Sequence, residues 1–406
     1  MTRATAVALA VVGVATAARL GAAAYLGDRL HFDDEAVYFD AARRLADGAG
    51  LGDRYRHAPG FPIVLAAFRT VGVDGVVGMR MAQAVVTGAG AAVVMALAAR
   101  IVGHGGAVAA GLLYALDPLL VVAGALLYPE GVAAVVLTTA VTGTLAAADR
   151  DGALRPMMIG LLLGGLVLLR PVALVLAPVL AGWIAVLGNA SRPHRMRQAA
   201  VLLVGCGMLL APWTYHNYRV HGTLTPIATA GIEAGPVSRS EARSLGLSGA
   251  FLQRARDEPR ALAARVGREF LHFWEFYPQR LTTDNARRRA ALHANDTRLP
   301  TEPSFPADLR DRLSAVSWAL VLGLALLGLG AVWRHRRLDA VLLLLVSLVF
   351  ALGYAAFMGK IRYRIPVVPL VMVIASAGLT GWGRDRIDHR RGNQGTSAET
   401  RCMRVP

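Results

Sequence analysis

Three consecutive carboxylates, Asp33, Asp34 and Glu35, follow closely on an apolar run of about 23 residues, Ala4 to Leu26, long enough to cross a roughly 30 Å hydrocarbon core. Carboxylates at a membrane surface gain nothing from anionic headgroups. The cluster is therefore a candidate general base for chemistry on a substrate carried in lipid. The plain alternative is a solvated loop with an acidic helix start. Tyr38 stands four residues after Asp34 and shares its helical face. Further along, Glu130, Arg170, Lys360, Arg362 and Arg364 all stand at the ends of apolar runs. Charges in such places are costly and tend to be functional. The arginines carry guanidinium forks that match phosphate oxygens, although a helix-end arginine also binds ordinary headgroups.

The composition fixes what positions them. Of 406 residues, 55% are hydrophobic, and the mean hydropathy is +0.47. Long Ala/Leu/Val/Gly runs recur from end to end, so the chain reads as an all-α polytopic membrane protein. The net charge of +16 falls mostly in short arginine-rich segments between spans and in the tail. That is the pattern of the positive-inside rule rather than of nucleic-acid binding. Lys360 is the only lysine, a bias expected of a GC-rich bacterial genome. Cys206 in a span and Cys402 in the tail are not placed to pair. The first span has no small-residue cleavage site before polar sequence and reads as retained.

Ten crossings are expected: 4–26, 78–102, 105–126, 130–148, 156–170, 171–188, 197–213, 314–333, 338–358 and 363–382. The apolar stretch 60–73 is too short to cross and carries Arg69, so it is laid along the outer surface. The alternation then puts 100–104, 149–155, 189–198, 334–337 and the tail from Arg384 inside. The acidic loop, Glu130, Arg170, the long loop 214–313 and the segment Lys360 to Arg364 fall outside. If 60–73 did cross, 156–188 would have to be one broken span. Residues 35–47 have helical spacing, with Asp33 or Asp34 as N-cap and Gly48 as the stop. Pro259 to Tyr277 is an amphipathic basic and aromatic helix, suited to lying on a membrane or on the top of the bundle. Segment 281–311, polar and rich in arginine and proline, reads as flexible or as gating the acceptor.

These residues together resemble a family. Asp34-Glu35-x-x-Tyr38 with Leu45, Gly48-x-Gly50 and His57-Ala-Pro-Gly-Phe-Pro62 look like the first loop of GT-C glycosyltransferases of the family 39 type. That type includes the protein O-mannosyltransferases and the lipid A aminoarabinose transferases. Asp117-Pro118 through Tyr128-Pro129-Glu130 resembles the segment carrying a second acidic residue. Gly160 to Arg170-Pro171, Pro212-Trp213-x-x-His216-Asn217-Tyr218 and Arg362-Tyr363-Arg364-x-Pro366-x-x-Pro369 resemble later motifs in the same order. The chain departs from the pattern at His216, where the family has arginine, and at His57-Ala58, where the aminoarabinose branch has Lys-Pro.

The resemblance implies a GT-C type helical bundle with interfacial helices and one long loop on its outer face. The expected units are a catalytic membrane module over 1–213 with its acidic loop at 27–77, an outer loop 214–313, C-terminal helices 314–383 and a basic cytoplasmic tail 384–406. It implies inverting transfer of a sugar from a polyprenyl-phosphate donor to an acceptor hydroxyl on a glycan, glycolipid or protein, at the extracytoplasmic face of a bacterial inner membrane. Asp34 is then the base, with Glu35 beside it as a second catalytic carboxylate. Tyr38, His57, Glu130, Arg170, Asn217, Lys360, Arg362 and Arg364 are expected to bind substrate. A divalent ion, Mg²⁺ or Mn²⁺, is expected at Asp34 and Glu130 if anywhere. A lipid-sugar flippase or transporter remains the non-enzymatic alternative, and a glycan polymerase or ligase shares the architecture. Against a transporter stands the placing of most charges at helix ends, with Arg19 and Asp117 the mid-span exceptions.

Overall fold

The computed structural model describes residues 2–52, 55, 57–148, 152–221, 249, 251–276 and 307–381. Among these no strand occurs, and long apolar helices make the bundle. They are α1 (Arg3–Leu26), α2 (Asp33–Ala46), α3 (Gly60–Thr70), α4 (Gly75–Ile101), α5 (His104–Leu116), α6 (Pro118–Ala125) and α7 (Pro129–Ala148). There follow α8 (Leu154–Leu169), a 3₁₀ turn (Pro171–Val175), α9 (Leu176–Leu187) and α10 (Arg192–His221). The last are α11 (Pro259–Trp274), α12 (Ala307–His335), α13 (Arg337–Ala355), a second 3₁₀ turn (Ile361–Val367) and α14 (Val368–Thr380).

Seven of the described helical segments are long and apolar enough to cross a membrane: α1, α4, α7, α10, α12, α13 and Ile361–Thr380. The crossing expected over 105–126 is a broken pair. α5 and α6 meet at 60° because Pro118 cannot continue the hydrogen-bond ladder and Asp117 caps the new helix, its Oδ1 accepting from Leu120 N at 2.9 Å. The expected crossings at 156–170 and 171–188 are shorter apolar segments. α1 packs on α4, α5 and α6, α10 packs on α8 and α9, and α12 packs along α14.

The connecting segments decide where chemistry can occur. α3 has 11 residues, about 16 Å at 1.5 Å per residue, half the hydrocarbon thickness. It packs on α2 and on the end of α8. The approach is so close that a Cβ on Gly60 would lie 2.6 Å from the Leu168 backbone. α2 begins at Asp33 itself with Phe32 in the cap position. Asp33 and Asp34 are thus first-turn residues, favoured by the helix dipole, and not caps as the spacing had suggested. The helix stops where expected, at Gly48, whose φ of +75° only glycine adopts freely.

α11 lies on the bundle top, packed against α13 and the second 3₁₀ turn, with Phe273 fully buried. Its Glu269 accepts a hydrogen bond from Gly359 N at 2.7 Å, and Trp274 stacks on Trp318 at 6.0 Å. α10 continues through Pro212 to His221, past the end expected for that span. Of the stretch expected to be flexible, 281–306 lies outside the described residues, as does the tail, and residues 307–311 open α12.

Candidate functional site

Three polar chain segments meet beside α2. α8 ends at Leu169 because Pro171 biases the residue before it away from helix, and Arg170 is accordingly extended (φ −142°, ψ 100°). Its guanidinium stands at a helix C-terminus, where a cation is favoured. Glu130 enters α7 directly after Pro129, an acidic residue in a first turn behind a proline at the first position. Arg362 rides on the 3₁₀ turn Ile361–Val367.

These side chains form one chain of charge. Arg362 Nη2 donates to Asp34 Oδ2 at 2.9 Å. Arg362 Nε lies 3.7 Å from Glu130 Oε1, and Arg170 Nη2 contacts the same oxygen. Glu130 is 1% exposed, yet its Oε2 accepts no hydrogen bond among the described residues. Aromatic rings wall the group. The Arg362 guanidinium stands 5.0 Å from the Tyr128 ring and 5.1 Å from that of Tyr363, and Arg170 stands 5.4 Å from Tyr363. Tyr354 stacks on Tyr363 at 4.4 Å. On the α2 side, Tyr38 packs edge-on against Phe61 at 5.3 Å and against His57 at 5.6 Å.

Burial works to raise the Asp34 pKa, but Arg362, with lesser help from His57 and Arg170, holds it below the ordinary carboxylate value. Asp34 is therefore ionised at neutral pH. Because its folded value is depressed, what this pairing adds to stability is present above the unfolded carboxylate pKa and fades as pH falls through the folded one. Burial pushes the Tyr38 and Tyr128 phenols well up, so both remain protonated donors.

Asp34, Glu130, Arg170 and Arg362 thus come together from positions up to 328 residues apart, with Tyr38 and His57 at their edge. Others expected at the site do not join them. Arg364 faces away, because residues two apart on a 3₁₀ turn are rotated by about 240°. It is fully buried, donates to the Glu275 carbonyl and lies 4.3 Å over the Trp318 ring. It anchors the turn and stands apart from the Arg170 and Arg362 guanidiniums. Lys360 is exposed at the start of that turn. Asn217 is buried at 4% exposure on α10, a helix that packs on α8 and α9. His216 is exposed and stacks on Trp213 at 4.9 Å.

Glu35 also has a different place from that expected. One residue after Asp34 is about 100° around the helix, and that turn points Glu35 into the bundle. Its Oε1 accepts from Arg80 Nη2 and from Leu127 N, both at 2.9 Å, and its Oε2 accepts from His31 N at 2.7 Å. Both side chains of the Glu35–Arg80 pair are 0% exposed. Arg80 also donates to the carbonyls of Gly27 at 2.8 Å and Arg29 at 2.9 Å. Glu35 is therefore a staple that fixes the acidic loop to the turn before Glu130, with both of its oxygens engaged.

Arg80 opens a polar row that sequence reasoning passed over. Gln83 donates to the carbonyls of Ala123 and Gly124 at 3.3 Å, and Thr87 to that of Gly124 at 3.3 Å. The signal was present: polar residues at 80, 83 and 87 repeat on one face of an otherwise apolar helix. Arg19 and Asp117 are likewise absorbed by structure. Arg19 donates to the Ala15 and Tyr114 carbonyls at 2.9 and 3.1 Å, and Asp117 Oδ2 accepts from Ser317 at 2.6 Å.

Among the described residues no group of three or more His, Cys, Asp or Glu side chains is gathered to hold a metal. The two carboxylates at which a divalent ion was expected, Asp34 and Glu130, share Arg362 between them. A cation there would have to displace a guanidinium, and this donor set does not fit one.

Residues 56–216 match the family model for dolichyl-phosphate-mannose-protein mannosyltransferases. No curated relative matches the sequence. Among solved structures, the chain resembles the apo oligosaccharyltransferase of Archaeoglobus fulgidus (15% identity, TM-score 0.56, covering 96% of this chain and 52% of that one). It is similar to the oligosaccharyltransferase AglB of the same organism in complex with an inhibitory peptide and a dolichol-phosphate (16%, TM-score 0.56, 96% and 52%). It is also similar to ArnT of Cupriavidus metallidurans bound to undecaprenyl phosphate (15%, TM-score 0.58, 92% and 60%). The chain spans between half and three-fifths of the length of these proteins. Over nearly its whole length the chain therefore shares the helical fold of these membrane proteins.

Proposed function

We propose that this chain is a membrane glycosyltransferase that moves a sugar from a polyprenyl-phosphate donor to an acceptor hydroxyl at the extracytoplasmic face. The observation that carries the reading is the charge chain Asp34–Arg362–Glu130–Arg170, which sets a carboxylate base beside two guanidinium forks. The acceptor hydroxyl gives its proton to Asp34 as its oxygen bonds the anomeric carbon. On the opposite side the bond from that carbon to the phosphate oxygen breaks, and the polyprenyl phosphate leaves with the electron pair. Such a displacement inverts the anomeric centre. The departing phosphate carries more charge than the diester it came from, and Arg170 and Arg362 are arranged to meet it. The free Oε2 of Glu130 would accept from a sugar hydroxyl, and the Tyr38, Tyr128 and Tyr363 rings would bound the sugar.

The proteins that the chain resembles are themselves described with dolichol-phosphate or undecaprenyl phosphate bound, which is consistent with a lipid-linked donor. Purified protein incubated with a panel of labelled polyprenyl-phosphate sugars is expected to pass the label of one donor to a membrane acceptor. Movement of an intact labelled donor across vesicles, with no transfer from any panel member, would favour a transporter instead.

The reading places the chain in the bacterial inner membrane with the acidic loop outside, following the arginine asymmetry. Single cysteines at positions 53 and 290 are expected to react with an impermeant thiol reagent in intact cells. One at position 194 is expected to react only after permeabilisation. Labelling at 194 in intact cells would reverse the sidedness.

A further inference from the structure

We propose that Arg362 is an exchangeable latch on Asp34: it holds the carboxylate until a lipid-borne phosphate takes the guanidinium and leaves Asp34 free to accept a proton. The inference rests on the donor reading above and assigns an order of events within it. Asp34 engages the guanidinium through a single contact, Nη2 to Oδ2 at 2.9 Å. The Nε of the same fork has no hydrogen-bond acceptor, its nearest anionic oxygen being Glu130 Oε1 at 3.7 Å. A phosphate presenting two oxygens fills such a fork better than the one carboxylate oxygen now on it.

The pair is also accessible to exchange. The Arg362 and Asp34 side chains are 34% and 30% exposed, whereas those of Arg170 and Glu130 are 11% and 2% exposed. Exchange at Arg170 would strand a buried carboxylate, which is costly; exchange at Arg362 would return Asp34 to a partly solvated position. The Tyr128 and Tyr363 rings stand 5.0 and 5.1 Å from the guanidinium, in contacts that do not depend on its anionic partner. Its position is therefore kept while its partner changes. The consequence is a base that becomes available only once a donor is seated.

Binding of undecaprenyl phosphate, measured on the detergent-solubilised full chain, tests this through a double-mutant cycle. Asp34→Asn is expected to tighten binding about two- to fivefold, the range of partly exposed charge pairs, because the phosphate no longer has to displace a carboxylate. In an Arg362→Gln background, where overall binding is weaker, the same Asp34→Asn change is expected to gain less. Simple repulsion between Asp34 and the phosphate would give an equal or larger gain in that background. Such a result, or no gain in the wild-type background, would overturn the latch while leaving the donor reading intact. Absence of saturable undecaprenyl phosphate binding by the wild-type chain would overturn both. Arg362→Met supplies the same background should the glutamine variant fold poorly.

Discussion

Replacing Asp34 with asparagine is expected to reduce sugar transfer by about 10²- to 10⁴-fold, the range of a lost general base, without loss of folded protein. Asparagine keeps the shape of the side chain and one hydrogen-bonding oxygen, so Arg362 Nη2 retains an acceptor for the contact now made at 2.9 Å. What disappears is the charge and the basic lone pair. Asp33→Asn is expected to be far milder. Asp33 precedes Asp34 by about 100° of helix rotation, which turns it off the face that Asp34 shares with Tyr38. Turnover of both variants in one membrane assay, with expression checked by blot, decides the matter. A dead Asp33→Asn beside an active Asp34→Asn would move the base by one residue. Full transfer in both would remove the loop from the chemistry and restore the transporter alternative.

The parts of this site that were legible in the sequence are those that obey membrane rules. A carboxylate or arginine at the end of an apolar run has few physical reasons to be there, and span alternation sorted Asp34, Glu130, Arg170 and Arg362 to one face. The structure brings those four together. The short apolar stretch after Pro59 stayed out of the spans by its length and by Arg69, and α3 packs on α2 as an 11-residue helix. The same rule misled at Arg364, because proximity in sequence to Arg362 says nothing about which side of a tight turn a side chain leaves from. Spacing also could not separate Glu35 from Asp34, since both are acidic residues beginning one helix. What separates them is a partner on another span, Arg80, and pairing across 45 residues leaves no local mark. The polar row of α4 was visible as spacing, yet its role depends on the carbonyls of Ala123, Gly124 and Leu126, which are freed where α6 ends.

The Glu35–Arg80 staple therefore supports the second large effect. Arg80→Met is expected to destabilise the protein by about 3–5 kcal/mol, the cost of stranding one member of a buried ion pair. The Gly27 and Arg29 carbonyls lose their donors in the same change, a further cost for these partly buried acceptors. Glu35→Gln is expected to destabilise too, though less. One amide oxygen can still face Arg80 and Leu127 N, but the amide nitrogen then meets the His31 N–H donor that the carboxylate accepted from at 2.7 Å. In both variants turnover per folded molecule is expected to fall little, because the staple acts by holding the acidic loop against the turn that carries Glu130. Thermal unfolding followed beside activity normalised to folded protein separates this from a chemical role. If Glu35→Gln melted like the wild type and yet lost transfer as completely as Asp34→Asn, Glu35 would be part of the chemistry and the staple would be incidental. A double change to an apolar pair does not offer an easy rescue, as it might for an isolated buried ion pair. The backbone donors of Leu127, buried, and of His31, partly buried, would be left with nothing to accept them, so Glu35→Leu with Arg80→Met is expected to stay less stable than the wild type.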